Sequence, residues 1–171
     1  MGHLPYRSFR SIGRIFGTIL YYIPGFGSLC CVNIHAAFPE KDAQEVRRIA
    51  RGSMENLVRT ICEFFWACAH PDEFEKTVDL TNCRACAEKG LRMMENGTGA
   101  ILVTPHLGNW EFAGRILSQL FHYRMATVVK TARNPYLDRL ISSGRSAGDV
   151  RILHSKGAAR NMKKALDEGY T

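Results

Sequence analysis

The longest regular pattern of apolar positions runs from about residue 42 to just before Pro71 and predicts a helix of about seven turns. Asp42 followed by Glu45 resembles a capping box at the start of this helix, and Pro71 prevents its continuation. Near its end, residues 64–66 form an aromatic cluster that predicts either core packing or the lining of an apolar pocket. The apolar positions recur at intervals of three and four: Val46, Ala50, Met54, Leu57, Ile61, Phe64, Phe65 and Cys68.

The N-terminal part of the chain is apolar and nearly uncharged. Residues 15–39 contain no Asp, Glu, Lys or Arg, and they follow the basic residues Arg7, Arg10 and Arg14. Pro24 interrupts this stretch, which favours an interfacial or re-entrant segment over a single transmembrane helix. The upstream cations fit an anionic membrane surface, where each adds about 1 kcal/mol to binding. A hydrophobic helical hairpin buried in the core would show the same pattern.

Beyond residue 80, short apolar segments alternate with amphipathic ones. Strands that alternate with helices predict an α/β fold, with a mainly parallel sheet flanked by helices. Thr81 is expected to cap the first of these helices. The predicted helices lie at about residues 82–95, 110–122, 135–143 and 158–168, and the predicted strands at residues 100–103, 125–130 and 150–153.

Composition and charge narrow the class of protein. Of the 171 residues, 46% are apolar and 23% are charged, which indicates a globular chain that can bury a core. The net charge of +7 indicates an anionic partner. The basic residues are scattered and form no nucleic-acid-binding motif, so nucleic acid is not expected as that partner.

The six cysteines do not form a metal-binding pattern. Cys83 and Cys86 make a CxxC pair, but no second pair or histidine-rich partner follows at zinc-ribbon spacing. Free thiols in a reducing compartment are therefore expected.

The stretch whose residue types best suit catalysis follows the predicted strand at residues 100–103. It reads His106-Leu107-Gly108-Asn109-Trp110-Glu111. A turn at Gly108 would fold the Glu111 carboxylate back toward the His106 imidazole, holding one ring nitrogen as N–H and leaving the other as a base. The backbone amides of the turn would stabilise an oxyanion. A base of this kind removes a proton from an alcohol that attacks an acyl carbonyl.

Spacing alone leaves other interpretations of His106 open. A histidine beside a helix start is more often structural than catalytic. A metal site is not expected, because His106 and Glu111 supply only two ligands. A nucleophilic cysteine, Cys62, Cys68 or Cys83, would have to meet a histidine through folding, which spacing does not reveal.

The six residues from His106 to Glu111 closely resemble the histidine-x4-acid signature of the bacterial lipid A biosynthesis acyltransferases, the lauroyl/myristoyl transferase family. That family belongs to a wider glycerolipid acyltransferase superfamily, in which the acid is more often Asp. Other segments are similar in the same order, from about residue 11 onward. They are Asn33-Ile34 with Phe38-Pro39-Glu40, residues 55–60, residues 97–111, and Asn134-Pro135-Tyr136-Leu137-Asp138 with Arg145.

The resemblance implies roles for individual residues. His106 would be the general base and Glu111 its orienting partner. Arg145 matches a basic position that helps bind the phosphorylated or carbonyl part of the substrates. Further substrate-binding candidates are Gly108, Asn109, Lys130 and Asn134.

The implied reaction moves an acyl chain from acyl carrier protein, or less often from acyl-CoA, to a hydroxyl of a lipid A precursor, which is an acylated glycolipid. It requires neither a metal nor a redox cofactor. An acidic carrier protein and an anionic membrane surface would be natural partners of a basic chain, at the cytoplasmic face of the inner membrane.

Two parts are expected on this basis: a membrane-associated helical N-terminal segment at residues 1–40 and a glycerolipid-acyltransferase-like α/β domain at residues 41–171. The domain is expected to be incomplete, because family members continue with a further strand and a C-terminal portion that helps form the acceptor site. Two alternatives remain. The acceptor would be a lysophospholipid or another glycolipid, or the chain would be a non-catalytic membrane-binding fragment.

Overall fold

The computed structural model describes residues 4–81, 83–94, 97, 99–145 and 149–171. The chain divides into two compact units, residues 1–71 and residues 72–171. The first unit contains the segment 1–40 together with the long helix that follows it. A separate membrane-associated segment at residues 1–40 stays a prediction.

The first unit contains α1 (Ser8–Tyr22), α2 (Phe26–Ala37) and α3 (Ala43–Ala69). The long helix predicted from the apolar pattern is confirmed as α3. The Asp42 carboxylate caps it by accepting the N–H groups of Gln44 and Glu45, each at 2.8 Å. These bonds hold the pKa of Asp42 below its usual range, because they favour the charged form.

Helix α1 packs against α3 through glycines. Phe9, Gly13 and Gly17 are the buried residues of α1. A Cβ atom on Gly17 would lie 2.3 Å from the Cα of Glu55, and one on Gly13 would lie 2.9 Å from the Glu55 carbonyl oxygen. The two helix backbones can approach this closely because these positions carry no side chain.

A sharp break separates α1 from α2, and it confirms the predicted interruption of the apolar stretch. Pro24 lies in the break, and Gly25 has a φ of +93°, which favours glycine. None of the described helices is by itself long and apolar enough to cross a bilayer, whereas α1 and α2 qualify together as a pair bent by 89°. Exposed apolar side chains of this pair include Ile15, Phe16, Ile19, Leu29 and Val32.

A polar network anchors the start of the described chain to α3. The Tyr6 hydroxyl donates to Oε1 of Glu63 at 3.3 Å, and Nε of Arg59 lies 3.6 Å from the same oxygen. Burial and the neighbouring Glu63 carboxylate raise the pKa of Tyr6 to about 12, because both disfavour the phenolate. The Tyr6 ring contacts the indole of Trp66, with centroids 5.1 Å apart. Trp66 and Phe64 are buried, so this part of the aromatic cluster belongs to the core.

The second unit confirms the parallel α/β character in a helix-rich fold with a small sheet. Strands β1 (Met125–Val129) and β2 (Val150–His154) pair in parallel, with Met125 opposite Val150. Two 3₁₀ turns, Pro71–Glu73 and Glu75–Thr77, precede the first helix of this unit. The helices are α4 (Arg84–Met93), α5 (Trp110–Leu120), α6 (Pro135–Arg145) and α7 (Ala158–Asp167).

The start of α4 differs from the sequence prediction. The prediction that Thr81 caps this helix is wrong, because the N-cap residue is Cys83. Thr81 instead donates its N–H and its hydroxyl to Oδ1 of Asp79, at 3.0 and 2.6 Å. An Asp side chain readily closes such a local turn, and here it competes with the cap. Residues 82 and 95, the predicted ends of this helix, lie outside the described residues.

An apolar cluster joins α4 to the residues between α5 and β1. It contains Ala87, Phe121, Tyr123 and Met125. The Tyr123 hydroxyl donates to the carbonyl oxygen of Ala87 at 2.7 Å. Gly90 leaves room for this contact, since a Cβ there would lie 2.2 Å from the hydroxyl oxygen.

The strand predicted at residues 100–103 is absent, and that prediction is wrong. Residues 99–109 form neither helix nor strand, and Ile101 and Val103 are 68% and 88% exposed. An apolar segment becomes a strand only where a sheet edge accepts its backbone. On the side of β1 away from β2, the backbone of Thr171 occupies the sheet edge that such a strand would need. It accepts from the Ala126 N–H at 2.6 Å and donates to the Arg124 carbonyl at 2.7 Å.

Candidate active site

The histidine-x4-acid motif lies in the second unit, where the irregular segment 99–109 meets α5. Gly108 adopts a φ of +60°, a left-handed conformation that favours glycine. A Cβ atom at Gly108 would meet no other atom within 4 Å. This glycine therefore provides backbone freedom rather than close packing, and the space beside the turn is open.

A cap and an aromatic contact fix the head of α5. Oδ1 of Asn109 accepts the N–H of Phe112 at 3.1 Å, as expected for an N-cap residue. The Phe112 ring meets the buried ring of Phe74 edge-on, with centroids 4.9 Å apart. The Arg115 guanidinium lies 4.8 Å from the centroid of the same Phe74 ring. Glu111 thus occupies the first turn of an anchored helix, where the helix dipole favours a carboxylate.

The imidazole of His106 is exposed and rests against the indole of Trp110. The two ring centroids are 5.1 Å apart and the planes are inclined at 47°. Within the described part of the chain, no hydrogen bond joins His106 to Glu111. Catalytic hydrogen bonds frequently tighten only in the substrate complex. The roles of His106 as base and of Glu111 as its orienting partner therefore stay predictions.

The Glu111 carboxylate is paired with Arg145, the last residue of α6. Nε of Arg145 donates to Oε2 of Glu111 at 3.0 Å, and Nη2 of Arg145 donates to Oε1. The two side chains are 15% and 30% exposed, so water has limited access to the pair. Hydrogen bonding to Glu111 raises the pKa of Arg145, because it stabilises the charged guanidinium. The planar fork of arginine matches both carboxylate oxygens, which lysine cannot do.

The remaining predicted site residues have different surroundings. Asn134 caps α6, with Oδ1 accepting the N–H groups of Tyr136 and Leu137 at 2.9 and 3.2 Å. Lys130 is exposed directly after β1 and makes no ion pair or hydrogen bond with another described residue. Substrate binding by Lys130, Asn134, Gly108 and Asn109 stays a prediction.

Two features of the site escape sequence reasoning. The contact between His106 and Trp110 has a local signal that could have revealed it, because an aromatic residue inside the motif stands four positions after His106. The pairing of Glu111 with Arg145 has none, because 34 positions separate the two residues.

The arrangement combines an exposed imidazole with a fixed carboxylate–guanidinium pair. The imidazole of His106 is accessible to a hydroxyl group of a substrate. The Arg145 charge is largely balanced by Glu111, so the groups that suit a developing oxyanion or a phosphate are the backbone amides at the start of α5. No cluster of three or more His, Cys, Asp or Glu side chains that would hold a metal ion occurs among the described residues.

Comparison with known proteins identifies the family. The family model described as bacterial lipid A biosynthesis acyltransferase matches residues 1–171. No curated protein and no solved structure shows a significant match to the chain. The family match spans both units and includes the motif from His106 to Glu111. The chain is therefore an acyltransferase, and it belongs to the bacterial lipid A biosynthesis acyltransferase family.

Proposed function

We propose that this protein transfers a fatty acyl chain from acyl carrier protein to a hydroxyl group of a lipid A precursor, with His106 as the general base. One observation carries the proposal. The exposed imidazole of His106 stands four positions before the first residue of α5, and Glu111 in the first turn of that helix is paired with Arg145. Acyl transfer to an alcohol needs a base for the hydroxyl proton and an electropositive group for the developing charge.

In the proposed reaction, His106 takes the hydroxyl proton while the acceptor oxygen attacks the thioester carbonyl carbon of the donor. The tetrahedral intermediate then collapses with cleavage of the carbon–sulfur bond, and the imidazolium returns the proton to the departing thiolate. The imidazole is restored and no external oxidant or reductant is consumed. Glu111 acts as a positioning residue for the imidazolium, and Arg145 positions Glu111 in turn.

The charge of the chain supports an anionic donor and an anionic acceptor. With a net charge of +7, the protein attracts an acidic carrier protein at long range. Acyl-CoA, which is also anionic, is the alternative donor. The resemblance to the family favours a phosphorylated, acylated sugar lipid as the acceptor.

We further propose that the protein works at the cytoplasmic face of the inner membrane. Exposed apolar side chains on both arms of the bent pair α1–α2 support this location, among them Ile19 and Leu29. Apolar side chains of this size gain about 1.5–3 kcal/mol each when they leave water. The basic residues ahead of them suit an anionic leaflet.

The test is a matched pair of histidine substitutions in the purified chain of 171 residues. His106→Asn is expected to lower the turnover of labelled acyl carrier protein and a lipid A precursor by about 10²–10⁴-fold, because a general base contributes an amount of this order. His122→Asn is the control. It removes another exposed imidazole of the same unit, and asparagine tolerates the φ of +57° at this position.

Equal turnover of the His106→Asn variant and the unaltered protein would contradict the mechanism. If the unaltered protein sediments with vesicles but transfers no label, the non-catalytic membrane-binding alternative is correct instead.

A further inference from the structure

Two adjoining cavities lie in the first unit beside the break between α1 and α2. One, of about 610 Å³, is lined by Arg47, Arg48 and Arg51 of α3. The other, of about 910 Å³, is lined mainly by apolar residues around the break. Both cavities share Tyr21, Tyr22 and Arg47. We infer that together they form a binding site for one anionic glycerophospholipid, with its phosphate at the arginines and an acyl chain in the apolar cavity.

The basic cavity carries positive charge that the protein neutralises only in part. Nε of Arg51 pairs with Glu55 at 3.0 Å, and Nη2 of Arg48 lies 3.7 Å from Glu45. Arg47 makes no ion pair or hydrogen bond with another described residue, and it stands where the two cavities meet. A guanidinium group offers two parallel N–H donors to phosphate oxygens. Arg47 is therefore the residue best placed to bind a phosphodiester.

The packing of the helices holds the walls of this site in place. A Cβ atom on Gly27 would lie 2.2 Å from the carbonyl oxygen of Tyr21, so α2 starts directly against the end of α1. The rings of Tyr21 and Tyr22 meet edge-on, with centroids 5.1 Å apart. The Tyr21 hydroxyl lies 3.9 Å from Sγ of Cys31 on α2. Contacts within α1 and between α1 and α2 thus hold the two tyrosines of the shared wall, and Arg47 of α3 completes it.

The combination of cavities selects a lipid rather than a soluble phosphate compound. A soluble compound would fill the basic cavity alone, whereas the adjoining cavity offers Ile23, Val32 and Val46 to an acyl chain. Tyrosine side chains, with an apolar ring and a polar hydroxyl, suit the level at which headgroup and chain meet. Other apolar residues of α1 and α2, among them Ile19 and Leu29, are also exposed, as expected where a protein meets a bilayer.

The charge pattern also selects the headgroup. The cavities together are lined by four cations, Lys41, Arg47, Arg48 and Arg51, and one carboxylate, Glu55, while Glu45 outside the lining pairs with Lys41 at 2.8 Å. A choline headgroup would bring a further cation to this cluster and meet repulsion. A glycerol headgroup leaves the phosphodiester with a net negative charge, so phosphatidylglycerol fits and phosphatidylcholine does not.

This site does not rest on the proposed acyl transfer. All of its residues belong to the first unit, whereas His106, Glu111 and Arg145 belong to the second. A His106→Asn variant is therefore expected to bind phosphatidylglycerol as tightly as the unaltered protein. Loss of lipid binding in that variant would assign the binding to the active site and overturn the inference.

The ligand test uses calorimetric titration of the full chain in a neutral detergent. The probes are a short-chain phosphatidylglycerol, a phosphatidylcholine with the same chains, and glycerol 3-phosphate. We expect one phosphatidylglycerol per chain. Phosphatidylcholine is expected to bind at least about fivefold more weakly, the factor that corresponds to one lost favourable charge. Glycerol 3-phosphate is also expected to bind at least about fivefold more weakly, because it has no acyl chain for the apolar cavity. Equal affinity for the two lipids would refute headgroup selection. Equal affinity for phosphatidylglycerol and glycerol 3-phosphate would refute a lipid as the occupant.

Matched variants separate a built site from diffuse attraction. Arg47→Gln is expected to weaken phosphatidylglycerol binding about fivefold, whereas Arg10→Gln, which removes the same charge from an exposed position outside both cavities, leaves it unchanged. Val32→Asn is expected to weaken lipid binding more than Leu29→Asn, because only Val32 lines the apolar cavity. Equal losses within either pair would overturn the inference. If Arg47→Gln fails to fold, as judged by circular dichroism, Arg48→Gln replaces it with the same expectation.

Discussion

At the scale of single residues, the Glu111 carboxylate has one observed partner, Arg145, and one predicted partner, His106. The family motif assigns it to His106, whereas both of its oxygens accept hydrogen bonds from Arg145. These two arrangements are compatible, because each carboxylate oxygen has two acceptor positions. Arg145 therefore holds Glu111 in place, and an acceptor position remains for an imidazolium N–H.

A double-mutant cycle measures the strength of this pairing. Glu111→Gln and Arg145→Gln are expected to lower the free energy of unfolding non-additively, with a coupling of about 1.5–3 kcal/mol, as for hydrogen bonds to charged groups of limited exposure. Urea unfolding of the two single variants and the double variant provides the values. The same set is assayed for acyl transfer. If Arg145 acts through Glu111, the double variant is no slower than the slower single variant.

The control cycle uses Lys163 and Asp167 on α7. This pair is as close, at 2.7 Å, but its side chains are 77% and 63% exposed. Exposed i,i+4 helix pairs of this kind typically contribute only about 0.3–0.5 kcal/mol. A coupling energy for Glu111 and Arg145 no larger than that of the control pair would show that the two hydrogen bonds between them do not stabilise the fold.

The residues of the site could be predicted from sequence only where their relation is local. His106 and Glu111 stand five positions apart in a recognisable motif, and Asn109 precedes an apolar helix pattern as a cap does. The partner of Glu111 depends on how α6 packs beside α5, which no spacing in the chain encodes. For the same reason, the sequence indicates Arg145 only as a substrate-binding candidate and contains no signal for its contact with Glu111.

At the scale of secondary-structure elements, the contact of α1 with α3 depends on Gly17. Gly17→Ala is expected to destabilise the protein by about 1–3 kcal/mol, because the new methyl group would meet backbone atoms of Glu55 and Met54 at 2.3–2.7 Å. Gly52→Ala is the control on α3, where a Cβ meets nothing within 4 Å. It is expected to stabilise by roughly 0.5–1 kcal/mol, because alanine favours the helix. Thermal and urea unfolding give the change in the free energy of unfolding for each variant. Similar changes for the two variants would contradict close packing at Gly17.

Elements with their own local signals are the ones that the sequence predicts well. Helix α3 has an N-cap residue, a helical period of apolar positions and a terminating proline. Strands β1 and β2 are short apolar segments between helices, and they pair with each other in parallel. Residues 100–103 are equally apolar, yet they form no strand. Whether such a run becomes a strand depends on a partner edge, and Thr171 lies along that edge of β1.

At the scale of the whole molecule, the division into two units means that stability need not respond uniformly to a change of conditions. The chain contains two tryptophans, and each unit holds one of them. Trp66 is buried in the first unit beside Tyr6, and Trp110 lies in the second beside His106. A Trp110→Phe background therefore leaves a fluorescence signal that reports on the first unit alone.

In that background, the first unit is expected to lose stability between pH 10 and pH 12 through Tyr6. Its pKa is raised from 10.0 to about 12, so below pH 10 the phenol is protonated in both states and its contribution is fully present. Above pH 10 the unfolded chain releases this proton first, which favours unfolding, and the contribution is lost as the pH rises through 12. The loss is on the order of 1 kcal/mol, because solvent screens a half-buried group.

The test follows the urea midpoint by Trp66 fluorescence as the pH rises from 10 to 12. The midpoint should fall less steeply with pH in Tyr6→Phe than in the Trp110→Phe parent. The control Tyr136→Phe, which removes an exposed phenol, should behave as the parent. Identical slopes for Tyr6→Phe and the parent would refute the assignment.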